Sequence, residues 1–449
     1  MGETFVVIGG DAAGMSAASK ARRDAPDLDI LAFEKGEWVS YAACGMPYFV
    51  KGDVADLDAL VSITADEFVS ERDIDLRTGA EVVAIDPSER TVTVETAADR
   101  YEQPYDHLLV ATGARAIEPP FPGLDLEGVF TLHRMGDAAA IDTYLDEHDL
   151  QRAAIVGGGY VGVEMAEALA ARGLEVSMYE MLDRLLQPFG EPGARRVEDH
   201  LREHGVDLHL ETAVEGFLGD DRVEAVDLGG DRATTDLVVV GVGVEPNVDL
   251  AEAAGVEIGP TGAIATDRYG RTNLEGVYAA GDCAEVDHAV TGEADWVPLA
   301  LTANRAGRAV GQTVAGDPTP VGETAGTAIV KAFDLGIART GLTDPTAARA
   351  AGFAPVEVDI SARTRAGYYP GARPLHVHLL ADGESRRLLG ATLVGEEGAK
   401  RIDTVATALH AGLTVDEVER LDLAYAPPFS PVWDPVLTAA KVLAGRLDQ

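Results

Sequence analysis

In this sequence of 449 residues, one cysteine and two glycine-rich turns hold the residue types and spacing most capable of chemistry. Cys44 lies in the run Ser40-Tyr41-Ala42-Ala43-Cys44-Gly45-Met46-Pro47-Tyr48-Phe49. Pro47 suits the first turn of a helix, which places Cys44 at or just before a helix N-terminus. The partial positive charge there favours thiolate over thiol. The expected pKa therefore falls below the free value of ~8.5, and the sulfur becomes a nucleophile. No second cysteine stands beside it to complete a CxxC or CxxxxC pair. The sulfur must then cycle through a mixed disulfide with a small thiol, or through a sulfenic acid. The other cysteine, Cys283, reads as a packing residue.

The first glycine turn, Gly9-Gly10-Asp11-Ala12-Ala13-Gly14, follows the apolar run Thr4 to Ile8 and precedes a small-residue helix expected from Met15 to about Arg23. A second strand, Asp29 to Phe33, ends at Glu34. Strand, tight turn, helix, strand and acid make a dinucleotide site. Backbone N–H groups and the helix N-terminus meet a pyrophosphate, and the acid accepts ribose hydroxyls. Asp11 stands where the motif has its middle glycine, and a carboxylate there restricts and repels a pyrophosphate. The second turn, Gly157-Gly158-Gly159-Tyr160-Val161-Gly162, fits the motif in full, between a strand at Ala153 to Val156 and a helix running to Arg172. Its next strand, Glu175 to Tyr179, ends at Glu180. A glutamate there accepts both ribose hydroxyls and repels a 2′-phosphate, which favours NADH over NADPH; nearby Arg184 pulls the other way.

Two dinucleotide sites in one chain imply hydride transfer from a nicotinamide to a flavin. Two further segments support FAD. Leu108 to Gly113 is a strand ending in the small turn Thr112-Gly113. Gly276 to Asp282 is a strand ending in Gly281-Asp282, where a carboxylate can reach a ribitol hydroxyl.

The elements that must position these groups alternate strand and helix, so the expected class is α/β. Hydrophobic residues make up 46% and charged residues 25%, ordinary values for a globular chain. The charge balance is not ordinary. Asp and Glu number 76 against 36 Lys and Arg, a net −40, and most of the cations are Arg. So acidic a surface argues against nucleic acid and anionic membranes as partners. Acids spread along the chain, with scarce Lys, fit adaptation to molar salt, where the screening length falls to roughly 3 Å. The sequence shows no leader pattern, no transmembrane run and no disulfide framework. The expected location is the cytoplasm, and no metal site is expected.

These motifs resemble the single-cysteine branch of the flavin-dependent pyridine nucleotide–disulfide oxidoreductases, which contains coenzyme A disulfide reductase, NADH oxidase and NADH peroxidase. The resemblance covers essentially the whole chain, including Pro298-Leu299-Ala300 before a helix and a block beyond about Gly326. It implies two Rossmann-like domains, for FAD and NAD(P), plus a C-terminal α+β dimerisation domain. The FAD domain would take residues 1–115 and 246–322, the NAD(P) domain 116–245 and the dimerisation domain 323–449. Cofactor contacts implied are Gly9, Gly10, Ala13, Gly14, Glu34, Lys35, Thr112, Gly113, Gly281, Asp282, Leu299 and Ala300. On the nicotinamide side they are Gly157, Gly159, Tyr160, Val161, Gly162 and Glu180.

Within the branch, the oxidases and peroxidases carry a histidine in the first glycine turn, where this chain has Ala12. Cys44-Gly45-Met46-Pro47-Tyr48, Tyr368-Tyr369-Pro370-Gly371 and Ala424-Tyr425-Ala426-Pro427 are similar to the coenzyme A disulfide reductases. The resemblance implies that Tyr368 and Tyr425 reach the active site of a partner subunit. It also implies a substrate channel lined by Ser16, Lys20, Arg23, Ser40, Arg72 and Asn304. Lys20, Arg22 and Arg23 would supply the cationic patch that coenzyme A needs. Ala43 and Asn304 depart from the amide and the histidine of the family pattern. Hydride would pass from NADH to FAD, and the reduced flavin would cleave a Cys44–coenzyme A mixed disulfide. The alternative is an NADH oxidase that reduces dioxygen through a Cys44 sulfenic acid. A redox sensor and a reductase of sulfane sulfur are more distant readings.

Overall fold

A computed structural model describes residues 2–449. Strand β1 (Thr4–Ile8) leads through the first glycine turn into α1 (Ala12–Asp24), then to β2 (Asp29–Phe33), α2 (Met46–Lys51), β3 (Asp75–Arg77) and β4 (His107–Val110). There follow β5 (Val129–Thr131), β6 (Arg152–Val156), α3 (Tyr160–Ala171), β7 (Glu175–Tyr179), α4 (Glu191–Glu203), β8 (Asp207–His209) and β9 (Leu237–Val240). The chain continues with β10 (Val277–Ala279), α5 (Ala300–Val314), β11 (Ala328–Ala332), β12 (Leu335–Gly341), β13 (Pro355–Arg363), β14 (Pro374–Asp382) and β15 (Leu388–Gly395). Further elements complete the chain, among them the strands Ala80–Asp86 and Thr91–Thr96 and the helices Met135–Glu147 and Pro435–Leu447.

Three five-stranded sheets organise these elements. The first has the order β10-β4-β1-β2-β3 and is parallel throughout, Phe5 pairing with both Ile30 and His107. The second, β8-β7-β6-β9-β5, repeats the same parallel plan. Strands covered on both faces must be apolar along their whole length. The runs Phe5-Val6-Val7-Ile8 and Leu237-Val238-Val239-Val240 are buried throughout. The third sheet, β11-β12-β15-β14-β13, is antiparallel, and β15 is buried along its whole length.

Strand β10 lies far along the chain yet joins the sheet of β1, so the chain leaves that sheet after β4, builds the second sheet and returns. Helix α5 then packs on α1 at backbone distance. A Cβ added at Gly307 would lie 2.0 Å from the Ala13 carbonyl oxygen, and one at Gly311 would lie 2.3 Å from that of Ala17. Only glycine fits at such crossings. Helix α1 begins at Ala12, three residues before the expected start at Met15, because the turn tightens immediately after Asp11. Among the described residues no helix is long and apolar enough to cross a membrane.

Candidate active site

The first glycine turn is a floor with no room for side chains. A Cβ on Gly9 would sit 2.1 Å from the Ala111 oxygen, and one on Gly14 would sit 1.9 Å from the Gly9 oxygen. Gly10 N donates to Glu34 Oε2 at 2.8 Å and Gly36 N donates to Oε1 at 2.7 Å, which fixes the acid over the turn. Lys35 turns outward, 4.0 Å from Glu81. Across the cleft, Gly281 lies against Ala13, and its neighbour Asp282 keeps a buried Oδ1 with no hydrogen-bond partner. Burial pushes that carboxyl up to about 6. An orphaned acceptor beside a glycine cradle is what a ribitol hydroxyl and a pyrophosphate would satisfy, so the residues fit FAD. Thr112 Oγ1 donates to the Asn247 oxygen (2.7 Å), while Asn247 Nδ2 donates to the Thr112 oxygen (2.8 Å), pinning the Thr112-Gly113 turn. Leu299 caps α5 and Ala300 opens it.

Asp11 has a task that its motif position hides. Its Oδ1 accepts the Tyr41 N–H at 3.2 Å, and the Gly10 oxygen accepts the Ser40 N–H at 2.9 Å. Together they hang the cysteine loop on the first glycine turn. Ser40 adopts φ +47° to make the bend. Burial pushes the Asp11 carboxyl up to about 6, with Glu34 and Asp282 adding to the effect.

Cys44 is exposed, in a single 3-10 turn (Ala43–Gly45) directly before α2. The expected depression of its pKa is not found. Desolvation in the cleft pushes the thiol up, and the carboxylates of Glu164, Asp282 and Asp11 push in the same direction. Helix α2 has six residues, too short a dipole to offset three acids. Cys283 is fully buried, within 3.4 Å of the Val110 oxygen, and both cysteines are free thiols.

Tyr48, on α2, donates to Glu164 Oε1 of α3 at 3.2 Å. Burial pushes Glu164 up to about 7, against the Tyr48 hydrogen bond. One turn on, the buried Glu167 accepts from Lys51 Nζ (2.9 Å), Lys331 Nζ (2.5 Å) and Phe333 N (2.8 Å). One carboxylate thus joins α2, α3 and the third sheet. Sequence reasoning missed Glu164 and Glu167. Their signal was two acids on a helix whose other residues are small or apolar, a pattern that requires partners when buried.

On the nicotinamide side, a Cβ at Gly157 would meet the Gly241 oxygen at 2.3 Å and one at Gly162 would meet the Gly157 oxygen at 2.1 Å. Gly159, at the head of α3, faces open space, which leaves room for a pyrophosphate. Gly158 N donates to Glu180 Oε2 at 2.7 Å and Leu182 N donates to Oε1 at 2.9 Å, so the acid is held at the strand end. Tyr160 packs edge-on against Phe189 (centroids 5.5 Å), and Val161 is half-buried beside it.

The expected channel residues fall into two states. Ser16 Oγ meets Asn304 Oδ1 at 2.6 Å across the α1–α5 crossing, and Arg72 donates to Ser19 of α1 at 3.1 Å. Arg23 is exposed and makes no ion pair among the described residues. Lys20, however, is paired with Asp24 at 2.6 Å, an i,i+4 contact along one helix face, and Arg22 is tied to the Asp73 and Pro26 oxygens. The free cationic charge expected on this helix face is therefore reduced to Arg23, with Arg72 alongside.

The hydroxyls of Tyr368 and Tyr425 approach to 3.5 Å, and both rings are exposed. Arg401 latches their loops, donating to the Thr364 and Phe429 oxygens and pairing with Asp434. Phe429, Val432 and Trp433 are exposed on the adjoining segment, an apolar face of the kind an interface covers. Among the described residues neither phenol hydrogen-bonds to Cys44 of its own chain.

Comparison with known proteins agrees with this geometry. Residues 3–307 match the family model "Pyridine nucleotide-disulphide oxidoreductase", and residues 327–435 match that family's dimerisation domain. A Pyrococcus horikoshii protein named NAD(P)H coenzyme A polysulfide/persulfide reductase is 41% identical over 99% of both chains. A Methanocaldococcus jannaschii NADH oxidase is 34% identical over 97% of each chain. A Staphylococcus haemolyticus coenzyme A disulfide reductase is 33% identical, covering 95% of this chain and 96% of the relative. The solved NAD-dependent persulfide reductase from A. fulgidus superposes with a TM-score of 0.96 at 40% identity, over 99% of this chain and 83% of that one. The chain belongs to the pyridine nucleotide-disulphide oxidoreductases.

Proposed function

We propose that the chain is an FAD-dependent reductase that uses NADH, and less readily NADPH, to split coenzyme A disulfide into two thiols. The observation that carries this reading is the exposed Cys44 thiol, hung from the flavin-side glycine turn while the other cysteine is sealed in the core. With no internal partner, the redox sulfur takes an external thiol as the second half of its disulfide. The names of the relatives at 41% and 33% identity support coenzyme A as that thiol.

FAD, when bound, supplies the electron pair drawn from the nicotinamide. Gly9, Gly10, Ala13, Gly14, Glu34, Lys35, Thr112, Gly113, Gly281, Asp282, Leu299 and Ala300 would hold it. Gly157, Gly159, Tyr160, Val161, Gly162 and Glu180 would hold the nicotinamide dinucleotide. Residues 1–115 with 246–322 would form the FAD unit, 116–245 the NAD(P) unit and 323–449 the dimerisation unit. The Cys44 thiolate attacks one sulfur of coenzyme A disulfide. A bond forms between Cys44 and that sulfur, and the second coenzyme A leaves as thiolate. Cys44, exposed at the cleft, gives up its proton to solvent as it attacks, and the charged form of Glu164 opposes that loss. In a homodimer, Tyr425 with Tyr368 of the partner subunit would hydrogen-bond the leaving sulfur. Ser16, Arg23, Ser40, Arg72 and Asn304 would line the approach, and Lys20 would join them once released from Asp24.

A persulfide of coenzyme A presents the same kind of S–S bond to the same cysteine, and the name of the Pyrococcus relative favours it as a second substrate. The oxidase reading is weaker, because Ala12 offers no polar group to a sulfenic acid. Incubating the reduced protein with coenzyme A disulfide and no NADH tests the first half-reaction. One coenzyme A released per chain, and a coenzyme A adduct on Cys44 by mass spectrometry, is expected. No adduct, or the same adduct in Cys44→Ser, overturns the reading.

A further inference from the structure

Outside the redox cleft, His200, His204 and Asp334 bring three ligand atoms within 4.8 Å of one another. The histidines stand one turn apart at the end of α4, and Asp334 sits in the turn between β11 and β12. The three residues thus bridge the second and third sheets.

Each residue turns one ligand atom toward the other two. His204 Nδ1 lies 2.9 Å from the His200 carbonyl oxygen, so it carries the proton and donates. Its Nε2 then faces Asp334 Oδ1 across 3.9 Å, too far for a hydrogen bond. A gap of that size between a ring nitrogen and a carboxylate oxygen suits a shared cation. His200 Nε2 is 2.7 Å from the same oxygen, yet that oxygen lies off the ring N–H direction. The buried nitrogen is left without a hydrogen bond. His200 Nδ1 has the Glu203 carboxylate 3.9 Å away, beyond hydrogen-bond distance. The Phe333 ring stacks on His204 (centroids 4.3 Å, 15°) and fixes its plane. A recess lined by Arg196, Asp199, Glu203 and His376 opens beside His200, which leaves space for a solvent ligand.

We propose that His200, His204 and Asp334 bind a divalent ion of the zinc class, with water as fourth ligand. Metal–ligand bonds of about 2.0–2.2 Å need ligand atoms a little over 3 Å apart, so His204 would close on Asp334 from 3.9 Å while His200 would draw back from 2.7 Å. Two imidazoles select such borderline ions over magnesium and calcium, which the acidic surface would otherwise attract. The ion braces the second sheet against the β11–β12 turn, the segment that also delivers Lys331 and the Phe333 N–H to Glu167.

The test uses FAD-loaded protein in the Cys44→Ser background, which removes the exposed thiol as a competing ligand, with excess magnesium to occupy surface carboxylates. Cobalt(II) is titrated as a spectroscopic probe, and zinc is tested by its effect on thermal midpoint. One cobalt per chain with the intense visible bands of tetrahedral coordination, and a zinc-dependent rise in midpoint, is expected. Adding His204→Ala or Asp334→Ala should abolish both while leaving FAD content and the zinc-free midpoint unchanged, since both side chains are substantially solvent-exposed. Absence of a cobalt spectrum in the parent, or the same binding and stabilisation in the variants, overturns the proposal.

Discussion

Glu167 offers a test in which burial and distance make opposite predictions. Lys331 is the nearer partner at 2.5 Å, but its side chain is 44% exposed; Lys51 is at 2.9 Å and only 20% exposed. Exposed ion pairs contribute roughly 0.2–1 kcal/mol, and molar salt with a screening length of about 3 Å reduces that further. A half-buried pair is shielded from ions and retains about 1–2 kcal/mol of coupling. Removing the carboxylate altogether strands two lysines and the Phe333 N–H, and should cost about 3 kcal/mol. The assay is a double-mutant cycle of Glu167→Gln with Lys51→Met and with Lys331→Met, read by urea unfolding of FAD-loaded protein in molar KCl. The Lys51 coupling is expected to exceed the Lys331 coupling, and Glu167→Ala to lower the midpoint more than either lysine variant. The lost Lys51–Asp53 contact cancels within the cycle. A larger coupling to Lys331, or an unchanged midpoint in Glu167→Ala, would refute the argument that burial outweighs distance here.

Glu164 is charged above about pH 7 and neutral below, and only its charged form raises the Cys44 thiol. Glu164→Gln should lower the thiol pKa, so alkylation of Cys44 speeds up near pH 8, with rates converging near pH 6; equal rates at both pH values would sink the idea. Gly14→Ala forces a Cβ into the Gly9 oxygen and should leave the purified protein without bound FAD. Gly159→Ala enters open space, so it should retain FAD and raise the KM for NADH, which absorbance and steady-state kinetics will distinguish. Glu180→Ser removes both the ribose acceptor and the repulsion of a 2′-phosphate. It should shift the NADH to NADPH ratio of kcat/KM by about tenfold toward NADPH, the equivalent of ~1.4 kcal/mol.

The strands leading into both glycine turns were legible because a parallel strand covered on both faces must be continuously apolar, and the runs Phe5–Ile8 and Ala153–Val156 lie in strands as read. The place of Cys44 before a short helix was legible from Pro47, whose ring fixes the first helical turn. The protonation of that thiol was not. The upward push comes first from burial in the cleft and then from Glu164 and Asp282, which are distant in sequence and converge only in the fold. Asp11 read as a defect in a nucleotide motif and proves to anchor the cysteine loop, a contact that depends on where Tyr41 returns. Lys20 read as a free cation and is held by Asp24 one turn away, a spacing the sequence did contain. Glu167 and its two lysines lay beyond reach because no local pattern says that three separate segments meet at one carboxylate.

The central claim is that Cys44 turns reducing equivalents from NADH into two free thiols from one disulfide. Anaerobic mixing of FAD-loaded protein in molar KCl with NADH and coenzyme A disulfide measures it directly, counting thiols formed against NADH lost. Two thiols per NADH, abolished in Cys44→Ser, is the predicted result. NADH loss that begins only when dioxygen is admitted, with no thiol formed, would contradict the account and leave an oxidase in its place.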